Sequence, residues 1–173
     1  MEPVAPSSNV VAVLRTISRA GFAYAQTKEL AEAAGWKLID DELDLGYVRF
    51  DVQLVPGRDV RRPLAVEVCE SGRPPRAFVP LFYFEEHEVR REPFDKAHRS
   101  LSEQLTRVLG PPSLSGEYCY QHREEWIYLY SWWSLADAEF VLVQDEFDIQ
   151  FGMDVSLWVL PAGAAVEFPM SSA

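Results

Sequence analysis

The segment Gln144–Gly152 reads Gln-Asp-Glu-Phe-Asp-Ile-Gln-Phe-Gly. Side chains of an extended backbone alternate between faces. Phe147, Ile149 and Phe151 then share an apolar face, while Glu146, Asp148 and Gln150 share a polar one. Residues two apart on a strand stand ~6.5–7 Å apart. Carboxylates at that spacing can act as an acid–base pair, as in glycosidases. They can equally grip a guanidinium through charge-assisted hydrogen bonds, or simply face water. Upstream, Trp126–Trp133 places Trp126, Tyr128, Tyr130 and Trp132 on one strand face. An aromatic side chain buries ~150–250 Å², so four bare rings approach or exceed the ~300–600 Å² of the largest apolar patch on a typical monomer. Something therefore covers part of the row: a helix or strand of the protein itself, or a partner chain. The candidate partner-binding residues are Trp126, Tyr128, Tyr130, Trp132, Asp145, Glu146, Asp148 and Asp154.

Other reactive groups complete no site. The chain has no GxSxG elbow, P-loop, GxGxxG or HExxH. Glu85 and His87 fall on one strand face as two potential metal ligands, with no third in view. His98 lies in a helix off its apolar stripe, and His122 beside a turn; lone histidines of this kind are more often hydrogen-bonded than catalytic. Cys69 and Cys119 are far apart and form no CxxC, which reads as two buried thiols rather than a disulfide. No catalytic residue, cofactor or metal is expected.

The elements that must carry these residues follow from period and punctuation. Residues 1–8 read as a flexible Pro/Ser tail, and 9–173 as a single domain. Ser8 or Asn9 caps a helix with the stripe Val10, Val11, Leu14 and Ile17, which Gly21 ends. Thr27 caps a short second helix ending at Gly35. Strands are expected over Gly46–Leu54, Leu64–Glu70 and Ala77–Val89, with Pro80 marking an edge position or an irregularity. Asp95 caps a long helix with Phe94, Leu101, Leu105, Val108 and Leu109 on one face, stopped by Gly110-Pro111-Pro112. Four strands follow, near Glu117–His122, Trp126–Trp133, Ala138–Val143 and Val155–Leu160. Short connections make neighbours antiparallel. The class is α+β: a largely antiparallel sheet of about seven strands, with two N-terminal helices and one long central helix packed on it. Helix-then-strands occurs twice, at Thr27–Val89 and Asp95–Leu160, without a residue-level repeat.

The formal net charge is −11, which argues against a general nucleic-acid binder. No run approaches ~18 apolar residues, so no membrane span is expected, and no secretory leader is visible, which points to the cytoplasm. The charge is unevenly placed. Residues 124–173 hold nine acids and no Lys or Arg, whereas the first 123 hold 18 acids against 16 bases. Ten of the 22 aromatic residues lie in the same final fifty. An acidic, aromatic surface is thus expected on the final four strands.

Three stretches carry a resemblance: Leu30-Ala31-Glu32-Ala33-Ala34-Gly35-Trp36 running into a strand, Leu101–Pro111 closing the long helix, and the Trp/Tyr-rich strands after it. Together they resemble small acidic immunity-type proteins of bacterial polymorphic toxin systems. The resemblance implies a non-enzymatic inhibitor that docks a basic protein partner, a toxin, through its acidic aromatic region. A small-ligand binder or hydrolase using the aromatic strand as a platform is the alternative, and a homo-oligomer would also cover that face.

Overall fold

The computed structural model describes residues 3–54, 61–69, 72, 74–84, 91–119, 126–148 and 152–166, leaving aside the side chains at 61, 62, 83, 84 and 146–148. Helices α1 (Ser8–Arg19) and α2 (Tyr24–Ala33) precede strands β1 (Lys37–Glu42), β2 (Tyr47–Gln53), β3 (Arg61–Glu67) and β4 (Arg76–Phe84). Helix α3 (Arg91–Leu109) leads into β5 (Leu114–Tyr118), β6 (Tyr128–Ser134), β7 (Glu139–Asp148) and β8 (Gly152–Leu160). All eight strands join one sheet in the order β1-β2-β3-β4-β8-β7-β6-β5, and every pairing is antiparallel. Two four-stranded meanders thus meet along β4 and β8. Each follows a helix, so the halves are equivalent in connectivity.

The α+β class is as expected, with eight strands rather than about seven; the additional one is β1. The helix ends fall at Gly21, Gly35 and Gly110, all at positive φ, where a residue without Cβ meets no penalty. The helix starts differ. Ser7 caps α1, its hydroxyl accepting from the Val10 amide. Helix α2 begins at Tyr24, and Thr27 lies buried inside it. Helix α3 begins at Arg91, so Asp95 sits a turn inside it, and Pro93 falls in the first turn, where a missing N–H is harmless. Val108 is exposed rather than part of the buried stripe. Strand β5 starts three residues earlier than expected and ends at Tyr118. Cys69 is exposed and Cys119 half-buried rather than both buried, and neither is in a disulfide. Pro80 marks an irregularity and not an edge: β4 lies between β3 and β8, with a register shift between Pro80 and Phe82.

The core lies between the helices and one face of the sheet. Val48, Phe50, Val52, Leu64, Val66, Ala77, Val79, Phe140, Leu142, Val155, Leu157 and Val159 are all buried there, in mutual register across β2, β3, β4, β8 and β7. The N-terminal stretch expected to be a tail does not hang free at Pro3–Ser7. The Ala5 amide donates to Gln104 Oε1 at 3.0 Å, Gln104 Nε2 donates to the Pro3 carbonyl, and the Ser7 amide donates to the Leu54 carbonyl. Arg15 of α1 reaches the β6–β7 turn, where its guanidinium pairs with Asp137 at 2.9 Å. No helix among the described residues is long and apolar enough to cross a membrane.

Candidate functional site

None of the helices among the described residues packs on the opposite sheet face. Register places Trp132, Val141, Trp158, Phe78, Ala65 and Arg49 in one row across β6, β7, β8, β4, β3 and β2. A parallel row contains Glu139, Leu160, Glu67 and Tyr47, and another contains Tyr130, Val143, Ser156 and Pro80. Pro63, Ala65 and Pro80 are short, whereas Tyr47, Arg49, Arg76 and Trp158 around them are long. The result is a concavity of about 530 Å³ lined by Tyr47, Arg49, Pro63, Ala65, Glu67, Arg76, Phe78, Pro80, Asp145, Asp154 and Trp158. Pockets for small ligands span ~300–1,000 Å³.

Both arginines at its rim are committed. Arg76 Nε donates to Glu67 Oε2 at 2.6 Å, and its guanidinium lies 5.2 Å from the Trp158 ring centroid. Arg49 pairs with Asp40 and, more distantly, with Glu42. The Tyr47 hydroxyl donates to Glu42 Oε2 at 2.7 Å; that hydrogen bond holds the phenol above its ordinary pKa.

The carboxylates at the other end differ in environment. Asp145 and Asp154 are cross-strand partners on β7 and β8. Asp145 is half-buried, whereas Asp154 is only 2% exposed. Ser156 Oγ donates to Asp154 Oδ2 at 2.7 Å, while Asp154 Oδ1 is buried with no hydrogen-bond partner. Burial pushes the Asp154 carboxyl up to about 7, against the opposing pull of the Ser156 hydrogen bond. The Trp158 indole N–H is also buried without a partner. A buried polar atom left unpaired costs ~1–3 kcal/mol, so two of them at one concavity mark it out from the rest of the sheet.

Of the acids expected to form an exposed surface, those with described side chains are Asp137, Glu139, Asp145 and Asp154, and Glu139 and Asp154 are buried. Asp137 is held by Arg15 and Arg19. Glu139 is buried and accepts hydrogen bonds from Trp132 Nε1, Ser134 Oγ and the Gly163 amide at 2.8–3.1 Å. Glu146 and Asp148 belong to β7 by backbone, but their side chains lie outside the described residues, as do Glu85, His87 and His122 altogether. The aromatic row is partly covered. Tyr128 is fully buried, with its ring stacked on Tyr118 at 5.3 Å. Tyr130 and Trp132 are half-buried against the core. Trp126 sits under the Arg91 guanidinium, 5.9 Å from the ring centroid. Tyr128 therefore offers a partner no surface as placed, and what Asp154 exposes lies at the wall of the concavity.

Tyr130 also explains a glycine. A Cβ on Gly116 would lie 2.6–2.8 Å from the Tyr130 ring and hydroxyl, so the ring is seated on bare backbone of the edge strand β5. Gly116→Ala is expected to displace the ring and cost ~1–3 kcal/mol in urea unfolding; an unchanged midpoint would show that the ring moves aside freely.

Sequence reasoning missed Glu67, Arg76, Phe78 and Trp158 as lining residues. The polar alternation of Tyr47, Arg49 and Asp51 was visible locally. Their convergence with Asp154 depends on β4 pairing with β8, 76 residues or so apart in register, and no local signal reports it. Among the described residues, no group of three or more His, Cys, Asp or Glu could hold a metal ion. No family model, curated protein or solved structure matches the chain.

Proposed function

We propose that the chain is a non-enzymatic binding protein that docks a basic protein partner on the helix-free face of its sheet, in the manner of an immunity or inhibitor protein. The observation that carries this reading is the concave face itself, with aromatic rings and carboxylates contributed by both halves. Rigid aromatic anchors supply affinity at interfaces, and negative charge speeds encounter with a cationic surface. The surface differs from the one suggested by residue spacing: its centre moves from the Trp126–Trp132 row to Trp158, Phe78 and the Asp145–Asp154 pair. A small-ligand reading is favoured by one observation, the size of the concavity.

The test is retention of cationic proteins from source-cell lysate on the immobilised chain at low salt. The expected result is a salt-sensitive partner lost by the double variant Asp145→Lys with Glu67→Lys, and kept by Glu103→Lys on the exposed side of α3. Recovery of nothing cationic, or equal loss with Glu103→Lys, would overturn the reading.

A further inference from the structure

The geometry points to a guanidinium subsite: the Asp145–Asp154 end of the concavity receives one arginine side chain of the partner protein. This rests on the reading of the helix-free face as a docking surface and adds the group that anchors there.

Four observations support it. Asp154 lines the concavity, is 2% exposed, and keeps a buried Oδ1 that nothing in the described structure serves. Its cross-strand neighbour Asp145 brings a second carboxylate to the same end. Two carboxylates suit the planar fork of a guanidinium, which donates in parallel from several N–H groups. The floor of Ala65, Phe78 and Pro80 is apolar and suits a methylene stem, which long cationic side chains bury while their heads stay polar. Finally, the Trp158 ring already accepts the Arg76 guanidinium at 5.2 Å, so the wall is compatible with this cation.

The competing charges do not satisfy Asp154. Arg76 is held by Glu67 and Arg49 by Asp40 and Glu42. Among the described side chains, the groups facing Asp154 are Asp145 from β7 and Ser156 on its own strand. Beyond them, the walls carry Arg76, Glu67, Arg49 and Tyr47. Burial holds the Asp154 proton on, Asp145 adds to it, and no described cation draws it off. An arriving guanidinium reverses that balance, so binding favours the ionised carboxylate and releases a proton where Asp154 was protonated.

The experiment titrates the protein with N-acetyl-L-arginine amide, which has a guanidinium and no carboxylate, and reads the Trp158 indole N–H by NMR, assigned with Trp158→Phe. N-acetyl-L-norleucine amide is the apolar control. The expected result is saturable movement of the Trp158 signal at pH 8 and roughly tenfold weaker binding at pH 6, as the ionised fraction of a group titrating near 7 falls. Binding should weaken at least tenfold in Asp154→Asn, which keeps the shape and the Ser156 contact. Equal binding by Asp154→Asn, equal response to the norleucine derivative, or no saturable shift would overturn the subsite. The pH dependence of the unaltered protein decides the matter even if Asp154→Asn does not fold. A captured basic partner indifferent to Asp154→Asn would sink the subsite and leave the docking reading. Arginine-amide binding with no cationic partner captured would do the opposite.

Discussion

Asp154→Asn is expected to stabilise the protein at pH 8 and to make it acid-sensitive, while His98→Gln makes stability rise on acidification. Two buried titrating groups of opposite sign produce this. Asp154 has its folded pKa raised from 3.8 to about 7 by burial. Above pH 7 the fold carries a buried carboxylate, at a cost on the order of 4 kcal/mol from 1.36 kcal/mol per unit. As pH falls from 7 to 3.8, the carboxyl protonates in the fold before it would in the unfolded chain, and that cost is recovered. His98, 4% exposed on α3 with Nε2 3.4 Å from the Leu142 carbonyl, is lowered from 6.5 to about 4, chiefly by burial. Its stability contribution is complete above pH 6.5 and is lost as pH falls to 4, on the order of 3 kcal/mol. Between pH 4 and 6.5 the two slopes nearly cancel. Removing Asp154 leaves the histidine loss unopposed, and removing His98 leaves the carboxyl gain. Urea unfolding at pH 4.5, 6 and 8 reads both. The expected gain for Asp154→Asn at pH 8 is several degrees in thermal midpoint; a variant profile parallel to that of the unaltered protein would refute the assignment.

Trp133→Ala is expected to cost ~3–5 kcal/mol, a large share of a typical 5–15 kcal/mol stability. Trp133 is 1% exposed and stands on the helix-covered face of β6, in register with Phe140 of β7. Its indole N–H donates to the Gly110 carbonyl at 2.8 Å. It therefore fills the space under the end of α3 and also satisfies the carbonyl of the glycine that follows the helix. The two roles separate experimentally. Trp133→Phe keeps most of the volume and loses the hydrogen bond, so it should cost ~1–2 kcal/mol, with the rest appearing only in Trp133→Ala. Denaturant midpoints measured at constant slope would show the difference, and equal losses for the two variants would mean that packing contributes little.

Much of the fold was legible because its signals are local. Gly21, Gly35 and Gly110 each end a helix, and the alternation in Val48, Phe50 and Val52 gave a half-buried strand. What was not legible depends on pairing at a distance. The excess of acids after residue 123 looked like a surface, yet Glu139 and Asp154 are buried and Asp137 is neutralised by arginines of α1. Charge per segment reports composition, and only tertiary packing decides which carboxylates reach water. Alternation separated the faces within β6, setting Tyr128, Tyr130 and Trp132 against Trp133, whereas Trp126 lies before the strand. Alternation could not reveal that Tyr118 would stack on Tyr128, since that contact depends on the β5–β6 register. Helix starts were less legible, because Thr27 and Asp95 suit an N-cap by residue type yet lie inside α2 and α3.

The β4–β8 seam also sets a clock. In this sheet β8 is the strand made last, and β4, made early, must wait for it. The floor of the concavity can form on the growing chain with the first meander, but its wall of Trp158 and Asp154 arrives only with β8. A pairing this distant closes slowly relative to the local meanders. The concavity is therefore a late product of folding, and a partially synthesised chain carries half a sheet with an open strand edge.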